Sequence, residues 1–90
     1  MSIGYVYILE SLSNGVHYIG SSENPQRRLA EHNNGKVTAT RNKGPWIIRI
    51  IQQYSDISIA RKVEYKLKRL KSRKIIDRII VERFIKIEVA

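Results

Sequence analysis

The sequence has no cysteine, which excludes disulfide staples and a zinc ribbon and leaves packing as the source of stability. It has no apolar run near the ~18 residues of a membrane span. No basic segment precedes an apolar stretch at Met1-Ser2-Ile3-Gly4-Tyr5, so nothing there reads as a secretion signal. A cytoplasmic protein without membrane contact is expected. The chain is also short of acid: 8 Asp and Glu stand against 17 Lys and Arg, a formal charge of +9. On so small a surface that excess attracts polyanions by long-range field and counterion release, which makes nucleic acid the leading partner class. Charge does not separate DNA from RNA, and nothing in the sequence calls for an obligate protein partner.

What is present is enough for one globular domain spanning residues 1–90. An apolar content of 42% supplies a modest core, and 28% charge interspersed with hydrophobic residues argues against disorder. There is no repeat, linker or low-complexity tract.

Residues 4–10 and 16–20 are β-branched and aromatic, and Asn14-Gly15 between them supplies a tight reversal, so they read as a β-hairpin. Asn24-Pro25 opens a helix that runs to Asn33, because Asn caps free N–H groups and Pro at the first position loses no needed donor. Asn34-Gly35 ends it. Residues 36–44 lack an apolar period and read as a loop in which Thr38, Thr40, Arg41 and Lys43 face solvent. Residues 45–51 read as a third strand. Ile59, Val63, Leu67 and Leu70 then form one helical stripe facing the sheet, and a final helix from Ser72 repeats the pattern with Ile75, Ile76, Ile79, Ile80 and Phe84. The expected fold is α+β in the order ββαβαα, a three-stranded antiparallel sheet flanked by helices.

Tyr5-Val6-Tyr7, followed by Tyr18-Ile19-Gly20 with 11 residues from Tyr7 to Tyr18, resembles the paired motif of the GIY-YIG nucleases. Ile19 and Gly20 complete the second half of that motif. The resemblance extends to Arg28 on the helix after the second strand, His32 one turn later and Glu64 on a downstream helix, and it covers residues 4–80. It is strongest to the small single-domain bacterial branch, and the motif is also similar to that of the N-terminal catalytic domain found in an excision-repair endonuclease. Two departures stand out. Tyr5 replaces the leading Gly of the family motif, and Ile76 occupies the place where several members carry an Asn, for which Asn42 is a substitute to consider.

The resemblance implies a metal-dependent endonuclease acting on DNA phosphodiester bonds in repair or recombination, with Tyr7, Tyr18, Arg28, His32 and Glu64 as catalytic residues. The residue chemistry suits that role. Glu64 is a hard oxygen donor fit for Mg2+ or Mn2+, with waters and phosphate oxygens completing the shell; its plainer reading is a helix-surface partner of Lys68 at i,i+4. Arg28 offers a planar fork for phosphate oxygens. His32 lies one turn on and can position or deprotonate water; otherwise it is a surface histidine favoured by the helix dipole. For the tyrosines, a turn through Asn14-Gly15 alone would leave Tyr7 and Tyr18 four residues out of step, roughly 13 Å apart. A four-residue loop over residues 11–14 would pair them directly, and the nuclease reading expects that wider loop. Tyr7 is the favoured base, its pKa to be lowered by metal, Arg28 and His32. The bland reading makes both tyrosines core aromatics. Gly20 suits a close approach of backbone to substrate or helix.

Arg27, Lys36, Arg41, Lys43, Arg61, Lys68 and Lys71 are the candidate phosphate contacts, most of them non-specific. No reading head follows, so cleavage is expected to be structure-directed or of low sequence specificity. The rival readings are an inactive nucleic-acid-binding module of the same fold, and a protein-interaction scaffold using the Ile-rich last helix.

Overall fold

The computed structural model describes residues 3–88. It runs β1 (Gly4–Ser11), β2 (His17–Ser22), α1 (Pro25–Asn33), β3 (Trp46–Tyr54), α2 (Ile57–Leu70) and α3 (Arg73–Glu82), with a 3-10 turn at Thr38–Thr40 ahead of β3. The order is the expected ββαβαα. The sheet is antiparallel with strand order β2-β1-β3, so β1 is central and β2 is an edge.

The helices start where the sequence provides acceptors for their free N–H groups. Asn24 accepts from the Arg27 amide at 3.1 Å, Asp56 from the Ser58 and Ile59 amides at 2.7 and 3.1 Å, and Ser72 from the Ile75 amide at 3.2 Å. Gly35 follows α1 at φ 73°, a conformation that disfavours side chains. β3 runs to Tyr54, three residues past the apolar stretch. Gln52 explains part of that extension: its side-chain amide donates to the Ile85 carbonyl at 3.1 Å and its Oε1 accepts the Ile85 amide at 2.7 Å, tying the tail after α3 to the strand.

Strand alternation separates two cores. Val6 and Ile8 face α2 and α3, where they pack with Ile50, Ala60, Val63, Leu67, Ile76, Ile79 and Ile85. Tyr7 and Leu9 face the other way, with Trp46, Tyr18, Leu29 and Ile48 beneath α1. The sheet is thus covered on both sides. The helical stripes differ from the expected ones. In α2 the buried residues are Ala60, Val63 and Leu67, while Leu70 at the helix end is exposed. In α3 they are Ile76 and Ile79; Ile75 is exposed, and Phe84 lies beyond the left-handed cap at Arg83, with Ile85 buried in its stead.

The hairpin register corrects the sequence reading. Tyr7 pairs with Gly20 and Tyr18 with Leu9. The reversal is wider than two residues, but it is closed by Ser11 and Val16 (Ser11 N to Val16 O, 2.9 Å) rather than spanning residues 11–14. The cause is Ser11, whose buried hydroxyl accepts from the Ser13 and Asn14 amides and donates to the Lys43 carbonyl at 2.6 Å. That contact holds the loop against the segment before β3. Tyr7 and Tyr18 are therefore diagonal neighbours on one face, within reach of each other but not opposite.

Candidate active site

Tyr7 lies across the edge strand. A Cβ on Gly20 would stand 2.4 Å from both Cζ and the hydroxyl of Tyr7, so the ring occupies the space a side chain would take. Gly20 therefore makes room for Tyr7 itself, rather than for substrate or a helix. The ring is 1% exposed, packed with Leu9 and Trp46, and its hydroxyl ends on Nε2 of His32 at 3.0 Å.

α1 delivers Arg28 and His32 to that hydroxyl from one face, a turn apart. His32 is buried, not at the surface. Its Nδ1 meets Oγ1 of Thr40 at 2.8 Å, and Tyr18 packs edge-on against the imidazole with ring centroids 4.8 Å apart. The next residue fixes the helix end: Asn33 accepts from the Trp46 amide at 2.7 Å and donates to its carbonyl at 3.1 Å. Burial, and then the positive Arg28, hold the His32 pKa below the ordinary histidine value, so the ring is neutral near pH 7. Burial drives the Tyr7 phenol the other way, above its ordinary value, with Arg28 opposing and Tyr18 and Glu64 adding to the rise. The expectation that its neighbours lower the Tyr7 pKa is overturned, because desolvation of the phenolate outweighs the nearby guanidinium. Arg28 is half-buried and donates to Glu31 at 2.6 Å, and its positive charge acts against the rise in the Tyr7 pKa.

Glu64 arrives from the opposite side of the sheet. Ser21 follows Gly20 on the edge strand and points to the α2 face, where its hydroxyl donates to Glu64 Oε1. The other carboxylate oxygen accepts from Lys68 at 2.5 Å, and the same ammonium lies 5.3 Å from the Tyr18 ring centroid. The i,i+4 pair is therefore made, and it is made at the site. Among the described residues no cluster of three or more His, Cys, Asp or Glu forms a metal cage. One carboxylate with a neighbouring hydroxyl fits Mg2+ or Mn2+, which hold most of their shell as water and substrate oxygens.

The remaining predicted cations divide. Arg27 and Lys36 gather with Arg28 around Glu31, whose carboxyl is held below its ordinary pKa chiefly by the Arg28 hydrogen bond. Arg41 is turned onto the Gly35 carbonyl at 2.9 Å. Lys43, Arg61 and Lys71 are exposed. Ile76 is core, so its position adds nothing to the site. Asn42, at φ 62°, lines a cavity of about 520 Å³ with His32 and Thr40 and is not placed beside Glu64. Sequence reasoning passed over Ser21 and Thr40. Ser21 was within reach of a parity argument, whereas Thr40, expected to face solvent, is 1% exposed and nothing in its polar neighbourhood signals that.

The sheet edge thus brings a phenol and an imidazole into contact, with a guanidinium on the same helix as the imidazole. The family model for the GIY-YIG catalytic domain matches residues 3–76, and the chain belongs to that family of nucleases. Among its relatives are a UPF0213 protein of Halobacterium salinarum, 37% identical over 67 residues (73% of this chain, 86% of the relative), and the UPF0213 protein YhbQ of Salmonella typhimurium, 32% identical over 84 residues (92% and 82%). The solution structure of the UPF0213 protein BH0048 from Bacillus halodurans is 30% identical with a TM-score of 0.57, covering 90% of this chain and 85% of that one. Among the described residues no helix is long and apolar enough to cross a membrane.

Proposed function

We propose that the chain is a metal-dependent endonuclease that hydrolyses DNA phosphodiester bonds with structure-directed or low sequence specificity, in repair or recombination. The observation that carries this reading is the Tyr7 hydroxyl resting on the neutral His32 ring at 3.0 Å beside the Arg28 guanidinium. A pKa raised by burial keeps the phenol protonated near neutral pH, so a standing phenolate is not the base. Tyr7 instead accepts a proton from the attacking water as its own proton passes to His32 Nε2. The water oxygen bonds to phosphorus, the bond to the leaving oxygen breaks, and solvent protonates the departing group. Arg28 holds the non-bridging oxygens. Tyr18 packs the imidazole in place. Glu64 would hold Mg2+ or Mn2+, which supplies charge neutralisation on the phosphate and leaving oxygen. Arg27, Lys36, Arg41, Lys43, Arg61, Lys68 and Lys71 contribute sequence-independent phosphate contacts.

The test is cleavage of nicked, branched and single-stranded DNA with magnesium or manganese. Activity abolished by Glu64→Ala, with DNA binding retained, supports the reading. One observation favours the inactive binding module instead: both oxygens of Glu64 are already engaged, by Ser21 and Lys68. That alternative expects intact binding and no cleavage under either metal.

A further inference from the structure

We infer that Thr40 is a positioning residue that fixes the tautomer of His32 and thereby the direction in which the Tyr7 proton points. The inference rests on the proposed hydrolysis for its catalytic consequence, but not for its geometry. Four groups form a buried chain: Tyr7 hydroxyl to His32 Nε2 at 3.0 Å, His32 Nδ1 to Thr40 Oγ1 at 2.8 Å, and Thr40 Oγ1 to the Val37 carbonyl at 3.4 Å. Tyr7, His32 and Thr40 are 1%, 2% and 1% exposed, so water does not replace these partners.

Donor and acceptor chemistry gives the chain one sense. Thr40 Oγ1 donates to the Val37 carbonyl at 3.4 Å, so toward His32 its oxygen is an acceptor and the imidazole proton belongs on Nδ1. Both oxygens of Glu64 are taken by Ser21 and Lys68. The acceptor at hand for the phenol proton is the bare Nε2. In the other tautomer Nε2–H would donate to the phenol oxygen, bare Nδ1 would compete with the Val37 carbonyl for the one Thr40 proton, and no lone pair on the ring would receive the Tyr7 proton during the reaction. Backbone contacts hold Thr40 in place: its amide donates to the Val37 carbonyl at 3.1 Å, and its carbonyl accepts from the Trp46 indole at 3.3 Å. The 3-10 turn thus serves as the rear wall of the Tyr7–His32 pair.

The test is a long-range proton–nitrogen correlation spectrum of the histidine-labelled protein at about pH 8, compared among wild type, Thr40→Ser and Thr40→Val. The expected wild-type spectrum shows His32 with Nδ1 protonated and Nε2 bare. Serine keeps that pattern; valine, matched in shape but without a hydroxyl, moves His32 wholly or partly to the Nε2-protonated form. A wild-type ring protonated at Nε2 overturns the inference without recourse to any variant, and so does a folded valine protein whose tautomer is unchanged. In the cleavage assay Thr40→Val lowers kcat about 10- to 100-fold, the usual effect of removing a partner that orients a working histidine, leaves KM in place, and is rescued by serine. Absence of cleavage by every protein, with the tautomer shift observed, sinks the nuclease reading and leaves the role of Thr40 standing.

Discussion

Replacing Gly20 by alanine tests the geometry at its tightest point. The added Cβ would meet Tyr7 Cζ and hydroxyl at 2.4 Å, whereas ordinary contact begins at 3.4 Å, so the ring must retreat by about 1 Å. The far end of a flexible side chain would yield cheaply, but this ring is 1% exposed and packed with Leu9 and Trp46. Overpacking of this kind costs about 1–3 kcal/mol, and loosening the buried bond to His32 adds about 1 kcal/mol or more. A total of about 2–4 kcal/mol lowers Tm by roughly 10–25 °C in a domain of this size. A displacement of about 1 Å at the reacting group further lowers the cleavage rate per folded molecule about 100-fold. Gly4→Ala is the control, since its Cβ would strike the backbone of Ile57, with Cα at 2.4 Å, away from Tyr7. It loads the start of α2 rather than the phenol, so its rate per folded molecule falls less than that of Gly20→Ala. Urea unfolding and cleavage measured together decide the matter. A Gly20→Ala protein within about 0.5 kcal/mol of wild type, or one as active per folded molecule as Gly4→Ala, refutes the packing reasoning.

The charges carry three further predictions. Because burial lowers the folded-state pKa of His32, its contribution to stability is present above about pH 6.5 and is lost as pH falls below that value. Urea midpoints between about pH 7.5 and 5.5 should therefore fall in wild type, by at most about 1.4 kcal/mol per pH unit from this one group, and fall less in His32→Asn; equal slopes would reject the assignment. Glu31→Gln releases Arg28 from its 2.6 Å ion pair, so binding to a DNA duplex tightens in a filter or anisotropy titration; unchanged or weaker binding counts against Arg28 as a phosphate ligand. Lys68→Ala frees one oxygen of Glu64, so Mn2+ measured by titration binds up to about fivefold more tightly, in line with ion pairs of about 1 kcal/mol. In the same variant the log-log salt slope of DNA binding falls by about 0.9 if that ammonium contacts phosphate.

The element order and helix starts were legible because they depend on local chemistry. Asn24-Pro25 states its own cap, and alternation places Tyr7 opposite Val6 without reference to any other segment. Of the five candidate residues, Tyr7, Tyr18 and His32 are in contact, Arg28 lies a turn from His32 on the same helix, and Glu64 meets the edge strand at Ser21. What could not be read is what depends on a distant partner. Register turned on Ser11 reaching the Lys43 carbonyl, 32 residues away. The burial of Thr40 turned on His32 and the Trp46 indole. The Tyr7 pKa turned on how deeply the ring is covered, which a residue type does not disclose. Leu70, Ile75 and Phe84 had the right period but fell where no second layer met them.

Glu64 reaches the edge of the sheet from one side, and Arg28 and His32 from the other. During synthesis the chain through β3 already contains the phenols, the imidazole and the guanidinium, but the carboxylate emerges only with α2. On the proposed reading, a polypeptide whose α2 has not yet docked carries these groups without the carboxylate, so hydrolysis would await the closing of that layer.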